Sequence, residues 1–246
     1  EVRPERSPVP DGRAEPPTEL VAHGQTGHAA FPHTANPVQR LGRAVGRLGP
    51  ASLPLRPLPL VRDLMGAWLE ALGPGAPALE TLLGGEVCEA TLEPYFGPLA
   101  RTLNAMLRNT VTPTRLEAGV RINVIPGEAR AELDGRILPG VTQEQVVDEV
   151  RAAIGADAEE VEVRVKLFFP AAEGGTDHAL YRTIEEVMDE LDPGCRVLPY
   201  LMVGVSDGRF LMRRGVKVCG FAPMREDPLA PPAALIHGDD ERISVE

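Results

Sequence analysis

Hydrophobic and polar residues alternate along several segments of the chain, and this period of two predicts β-strands. In 129–138, Ala129, Ala131, Leu133 and Ile137 fall on one face and charged residues on the other. The same alternation runs through 161–169. Shorter strands are predicted at 19–22, 110–118 and 121–125.

Apolar residues at helical spacing predict helices between these strands. One helix begins at Asn36-Pro37, where Asn caps the first turn and Pro occupies the first helical position. Another begins at Thr142, because Gln145 three residues later completes a capping box. Short helices at 64–72, 78–83 and 99–107 form a predicted helical insertion.

The order of these elements predicts the domain organisation. The first 17 residues contain five prolines and no hydrophobic periodicity, so 1–17 is expected to be a disordered extension. Residues 18–170, with the helical insertion at about 50–108, predict a split β-α-β arrangement, an antiparallel sheet with helices on one face. Residues 171–246 predict an α/β layer with parallel strands: helix 178–191, strand 196–203, helix 206–214 and strand 216–221.

Charge and cysteine usage exclude several classes of partner. The chain has 25 basic and 36 acidic residues, a net charge of −11, with no basic run. Nucleic acids and anionic membranes are therefore not expected as partners, since phosphate binding needs clustered positive charge. No apolar stretch approaches the ~18 residues of a membrane span, and no leader sequence is visible. Three widely spaced cysteines indicate reduced thiols and a cytoplasmic protein.

Two histidines are candidates for chemistry, and each has a simpler interpretation. His28 lies in a loop between a strand and a helix, where functional histidines are common, but a single loop histidine is also compatible with a merely solvated side chain. His237 precedes Asp239, Asp240 and Glu241, which suggests a metal ligand. Its spacing alone defines no self-contained metal site.

Two further segments carry candidate binding groups. Arg136, thirteen residues after Asn123, has a planar guanidinium suited to a carboxylate; alternatively it pairs with Glu132 or Asp134 on its own strand. Ser206-Asp207-Gly208 begins a predicted helix, and a plain N-cap is sufficient to explain it.

Taken in order, these segments resemble one family. They are Gly27-His28 with Pro32-His33 and Asn36-Pro37, then Asn123-Val124-Ile125-Pro126, Asp134-Gly135-Arg136, Ser206-Asp207-Gly208-Arg209-Phe210, and His237. Together they resemble, over about 18–246, the zinc-dependent deacylases and carboxypeptidases that include acetylornithine deacetylase, succinyl-diaminopimelate desuccinylase, aminoacylases and glutamate carboxypeptidases.

The resemblance implies a ferredoxin-like lid and dimerisation domain at 18–170, followed by the C-terminal part of an α/β zinc-hydrolase catalytic domain, with two zinc ions per site. It implies that His28 reaches across a homodimer to stabilise the tetrahedral intermediate, and that Asn123 and Arg136 bind the substrate carboxylate. Asp207 and Gly208 would border the substrate pocket, and His237 would be the last zinc ligand.

The sequence departs from this family in its missing metal ligands. The family's N-terminal half supplies a His-x-Asp pair, a bridging aspartate, a Glu-Glu pair and a further carboxylate ligand, and the resemblance assigns no residues of this chain to that half. We therefore expect part of a metal-dependent amide hydrolase acting on N-acyl amino acids or small peptides, truncated and inactive as this chain alone. The alternative is a non-catalytic dimerisation or small-ligand-binding module.

Overall fold

The computed structural model describes residues 18–49, 52–172 and 174–221. The extension predicted at 1–17 and the predicted metal ligand His237 lie outside these residues. The strands are β1 (Thr18–His23), β2 (Gly27–His28), β3 (Thr110–Ala118), β4 (Val124–Ile125), β5 (Glu128–Arg136) and β6 (Val161–Val165). The helices are α1 (Pro37–Leu48), α2 (Pro59–Leu72), α3 (Leu79–Leu83), α4 (Glu89–Phe96), α5 (Ala100–Met106), α6 (Gln143–Ile154), α7 (Ala179–Leu191) and α8 (Gly208–Met212).

These elements form two compact units. The sheet unit comprises the described residues up to 54 together with 109–170, and the helical unit comprises 55–108 together with the described residues from 171 onward. The helical segment predicted as an insertion thus groups with the residues after 170. None of the described helices is long and apolar enough to cross a bilayer.

The sheet unit contains a four-stranded antiparallel sheet in the order β3-β5-β1-β6. Alternation places Leu20 and Ala22 of β1 on the same face as Ala131 and Leu133 of β5, and these side chains are buried. Helices α1 and α6 cover that face with Leu41, Ala44, Leu48, Val150 and Ile154. The predicted antiparallel sheet with helices on one face is confirmed.

The two covering helices begin where the sequence predicts. The Asn36 side chain accepts a hydrogen bond from Val38 N (3.0 Å) at the start of α1. At the start of α6, the Thr142 hydroxyl accepts from Gln145 N (3.3 Å), and the Gln145 side chain accepts from Thr142 N (2.9 Å). Each bond satisfies a backbone donor that has no partner within the helix.

A buried asparagine fixes the far end of β5. Asn109 donates to a carboxylate oxygen of Glu149 on α6 (2.7 Å) and accepts from Leu138 N (2.9 Å). Since both side chains are buried, these bonds are shielded from competing water. They hold the chain that leaves β5 against α6.

The helical unit has its own apolar core. Helices α2, α4 and α5 contribute Val61, Met65, Leu92, Phe96 and Leu103, with Leu201 and Val203 packed against them. Leu55 and Arg108 form an isolated antiparallel bridge, so the helical segment begins and ends at the same place. Helix α4 is not predicted from sequence, because Pro94 interrupts its pattern although a short helix tolerates it.

Two predicted strands after residue 170 are wrong. Residues 196–203 and 216–221 are extended or irregular, and neither pairs with another strand among the described residues. A strand exists only through hydrogen bonds to a neighbour, and Pro199 also removes one backbone donor from the first segment. The sequence pattern identifies these segments as apolar, but it does not show whether a neighbouring strand is available to pair with them in the described part of the chain.

Candidate functional site

A small two-stranded sheet brings His28 and Asn123 together. His28 of β2 lies opposite Val124 of β4, and Ala29 N donates to the carbonyl oxygen of Asn123 (3.0 Å). These residues are about 95 positions apart in the chain, so their proximity is a product of the fold. Two of the candidate site residues are therefore neighbours.

The His28 ring is held in a defined tautomer. It is exposed, and its Nδ1 accepts a hydrogen bond from Ala30 N (3.1 Å). In the neutral ring, an accepting Nδ1 leaves the proton on Nε2. The ring also lies against Phe31, with 6.0 Å between centroids. Nε2 is thus a hydrogen-bond donor on the surface of the protein.

Close backbone packing shapes the segment that carries His28. Gly24 N donates to Gly127 O (2.9 Å), and a Cβ at Gly24 would lie 2.1 Å from Ala35 O. Only glycine fits such a contact with a backbone oxygen. Gly27 is also confined, because a Cβ there would lie 3.3 Å from Nε2 of His33.

Sequence reasoning does not single out His33, although its ring supports the His28 segment. Its two ring nitrogens are buried and have no hydrogen-bond partner in the described part of the chain. The sequence feature that could have drawn attention to His33 is its position five residues after His28, in the same segment containing Gly and Pro. We interpret His33 as a packing residue beneath β2.

The surroundings of His28 and Asn123 are unusually apolar for a protein surface. Phe31 is 76% exposed, and in the loop between β3 and β4 the exposure of Val120 is 97% and that of Ile122 is 101%. Leu116 of β3 is also largely exposed. Contiguous exposed apolar side chains are typical of surfaces that bind another molecule.

The start of β5 carries an ion pair between Glu128 and Arg130. Arg130 donates from Nε to Glu128 (2.5 Å), and this hydrogen bond lowers the pKa of the Glu128 carboxyl. The carboxylate therefore stays ionised at neutral pH and forms an ion pair with His23 whenever that ring is protonated (3.5 Å).

Arg136 lies at the opposite end of β5, with Thr110 of β3 beside it. Its Nε and Nη2 donate to the two carboxylate oxygens of Asp134 (2.5 and 2.7 Å). The pairing with Asp134 is one of the two simple alternatives that the sequence left open. Both side chains are about 40% exposed, so the pair is accessible from solvent.

The sheet unit keeps Arg136 away from His28 and Asn123. The His28 sheet adjoins the start of β5, where Gly24 N bonds to Gly127 O. At ~3.4 Å per residue, the eight steps from Glu128 to Arg136 span ~27 Å. A small substrate cannot touch both ends of β5 in one subunit.

Asp207 and Gly208 lie in the helical unit, at the start of the short helix α8. The simple N-cap interpretation is wrong in detail, because the side chain of the N-cap residue Asp207 makes no capping bond; the Ser206 hydroxyl, one residue earlier, accepts from Gly208 N (3.1 Å). A Cβ at Gly208 would lie 2.8 Å from a methyl group of Val218. Gly208 therefore permits close packing of α8 against the segment at 218.

The described residues do not provide a metal site. No group of three or more His, Cys, Asp or Glu side chains within 18–49, 52–172 and 174–221 could hold an ion. His237, the sequence-predicted ligand, lies outside these ranges. The donor set of the described residues therefore does not fit a zinc pair.

The sheet unit is an antiparallel sheet with two helices on one face, and exposed apolar side chains such as those near His28 and Asn123 are typical of surfaces that bind another molecule. The family profile of the M20 peptidase dimerisation domain matches residues 18–162. The chain therefore belongs to the M20 peptidase family, of which it contains the dimerisation domain.

Individual relatives agree with this assignment. A probable carboxypeptidase S-like 2 from Dictyostelium discoideum is 26% identical over 89% of this chain and 41% of its own length. The N-fatty-acyl-amino acid synthase/hydrolase PM20D1 from Xenopus tropicalis is 31% identical over 60% of this chain and 28% of its own length. The chain thus spans well under half the length of these relatives.

A solved structure shares the fold. The crystal structure of an M20 family metallo-carboxypeptidase from Sulfolobus solfataricus superimposes with a TM-score of 0.51 at 17% identity. The superposition covers 81% of this chain and 55% of that chain.

Proposed function

We propose that this chain is part of a metal-dependent amide hydrolase that acts on N-acyl amino acids or small peptides and works as a homodimer. The observation that carries the proposal is the match of 18–162 to the peptidase dimerisation domain, together with a relative named for N-fatty-acyl-amino acid hydrolysis. Residues 18–170 would act as the lid and dimerisation domain. Residues 171–246 would belong to the catalytic domain.

His28 is proposed to stabilise the oxyanion of the tetrahedral intermediate. Its exposed Nε2 is a donor, and the Ala30 N–H···Nδ1 bond fixes the ring orientation before substrate arrives. A donor prepared in this way stabilises developing charge without reorganisation. Asn123, held beside His28, and Arg136 are proposed to bind the substrate carboxylate.

The ~27 Å between the ends of β5 supports a substrate site shared by two subunits. His28 and Asn123 would come from one subunit, and Arg136 from the other. In this arrangement the exposed Val120 and Ile122 would be buried against the partner. That burial would remove the apolar surface from water and stabilise the dimer.

The proposed dimer surface includes β3 and the loop 119–123 that follows it. Among the described strands, β3 is an edge strand of nine residues with Leu116 exposed, and such an edge favours association. Light scattering on the chain should give twice its 26.4 kDa mass. Leu116→Asp with Ile122→Asp should give the monomer, whereas Leu180→Asp, an exposed leucine of α7, should not. A monomeric wild-type chain at tens of micromolar would contradict the proposal.

For the metal we propose zinc, with His237 as one ligand and the remaining ligands outside the described residues. The chemistry that zinc held by such ligands would supply is polarisation of the scissile carbonyl and activation of water. Asp207 and Gly208 are proposed to border the substrate pocket. Because all three cysteines are free thiols, we also propose a cytoplasmic location.

Hydrolysis of N-acyl amino acids tests the proposed reaction. We expect none from the 246-residue chain alone, and chelator-sensitive hydrolysis when the chain is joined to a segment carrying the family's His-x-Asp half. The same joined protein with His237→Ala should contain less zinc per subunit. If the joined protein is dimeric and loaded with zinc yet inactive, the non-catalytic module is the better description.

A further inference from the structure

The helical unit contains an apolar cavity of about 50 Å³ between α2, α4 and α5. Its lining comes from three helices and one extended segment. Among the described residues, that lining exposes carbon and sulfur atoms and no polar surface. The main contributors are Leu64, Met65, Trp68, Phe96, Leu103 and Met106.

Aromatic rings form the side of the cavity that reaches solvent. Trp68 donates from Nε1 to Tyr95 O (3.1 Å), which satisfies its one polar group and fixes the indole; its ring centroid lies 6.5 Å from that of Phe96. Trp68 and Tyr200 are each partly exposed, so the cavity is open at this side. The loss of surrounding water raises the pKa of the Tyr200 phenol above its ordinary value.

The chemistry of the lining restricts the occupant. The volume exceeds the roughly 15 Å³ that one water needs, but a water inside would find no hydrogen-bond partner. Apolar cavities bind hydrocarbons, because such an occupant gives up no hydrogen bonds on entry. Neither a charged group nor a peptide backbone is suited to the site, because each would lose its hydrogen bonds to water. An aliphatic chain loses nothing polar on entry.

We propose that this cavity binds the hydrocarbon chain of the substrate's acyl group. The inference rests on the proposed function and adds the substrate class, a medium- or long-chain N-acyl amino acid. Tyr200 at the cavity lies seven residues before Asp207, which we place beside the substrate pocket. Seven residues reach at most ~25 Å, which sets an upper limit on the separation between Tyr200 and Asp207 within the helical unit.

Trp68 makes the proposal directly measurable, because it is the single tryptophan of the chain. We would titrate the 246-residue chain with N-acetyl-, N-hexanoyl-, N-decanoyl- and N-palmitoyl-phenylalanine below their aggregation concentrations and record Trp68 fluorescence. The acetyl compound should leave the emission unchanged. With longer chains, Kd should fall about fourfold per methylene, since each buried CH₂ contributes ~0.8 kcal/mol, and then level off when the cavity is full.

A matched pair of variants locates the binding. Thr102 of α5 lines the cavity, and the larger side chain of Thr102→Phe should fill it. If three methylene groups of the decanoyl chain are thereby excluded from the cavity, Kd should rise about 60-fold. Thr81→Phe makes the same change on the exposed surface of α3 and should bind like wild type. Far-UV circular dichroism checks that both variants fold. If Thr102→Phe does not fold, the chain-length series on the wild-type protein still tests the cavity.

Free fatty acids of the same lengths distinguish the two sources of such a chain. Tighter binding of the N-acyl amino acid than of the matching free acid supports the proposed substrate, whereas equal binding overturns that assignment. A Kd independent of chain length overturns the cavity site itself. If the joined enzyme hydrolyses N-acyl amino acids with no effect of chain length, the cavity is not the acyl-chain site, although the proposed function stands. If binding depends on chain length but the joined enzyme hydrolyses nothing, the proposed function is wrong.

Discussion

Strand β1 and the segment 196–203 are both short apolar segments, yet only β1 is a strand. β1 pairs with β5 on one side and β6 on the other, and its first five residues are buried. The segment 196–203 has no paired neighbour among the described residues, and Tyr200 and Met202 are half exposed. Apolar composition thus shows which residues seek burial, while the partner decides whether they form a sheet.

The sheet unit and the segments after residue 170 should differ most in how much the free energy of unfolding falls when a leucine is truncated. Leu133 is 1% exposed in the core of the sheet unit, whereas Leu211 on α8 is 49% exposed. Leu133→Ala should lower the free energy of unfolding by about 2–5 kcal/mol, because it leaves a cavity. Leu211→Ala should change it by less than ~0.5 kcal/mol. Urea titration measures both, and equal losses would show that the segment at 211 is packed as tightly as the sheet.

The second contrast concerns two glycines of the sheet unit. Gly24→Ala forces a Cβ against Ala35 O, so it should destabilise the protein by about 2–3 kcal/mol. Gly46 in α1 has open space around its Cα, and Gly46→Ala should stabilise the helix by about 0.5–1 kcal/mol. Thermal unfolding of the two variants checks the signs. A neutral Gly24→Ala would mean that the segment carrying His28 is less tightly held than the contacts indicate.

The smallest contrast compares the helix caps of the two units. Thr142→Ala removes one half of the capping box of α6 and should cost about 1 kcal/mol. Ser206→Ala removes the side-chain bond to Gly208 N just before the five-residue α8 and should cost only a few tenths of that amount. Chemical denaturation monitored by circular dichroism is the measurement. A larger loss from Ser206→Ala would reverse the ranking.

The α6 cap also predicts a dependence on pH. Backbone and Thr142 hydrogen bonds lower the pKa of the Glu144 carboxyl in the folded protein. A lowered folded-state pKa gives stabilisation that is present above the unfolded pKa and is lost as pH falls through the folded pKa. Glu144→Gln should therefore flatten the loss of stability on acidification. An unchanged acid profile would contradict a contribution from this carboxylate.

The sequence predicted elements whose evidence is local. Alternation located β5, and capping residues located the starts of α1 and α6, because each signal lies within a few residues. The adjacency of His28 and Asn123 depends on pairing between distant segments, which no local pattern reveals. For Arg136 the sequence left Glu132 and Asp134 as possible partners, and only the structure shows that Asp134 is the one paired with it.

Mixing inactive subunits tests the proposal that two subunits build one substrate site. Equal amounts of His28→Ala and Arg136→Ala subunits, each joined to the family's catalytic half, would be unfolded and reassembled together. Half of the dimers would be mixed, and each mixed dimer would contain one site with both residues intact. The account predicts recovery of about one quarter of wild-type activity. If mixed dimers form and activity stays at the level of the separate variants, His28 and Arg136 do not meet across the subunit interface.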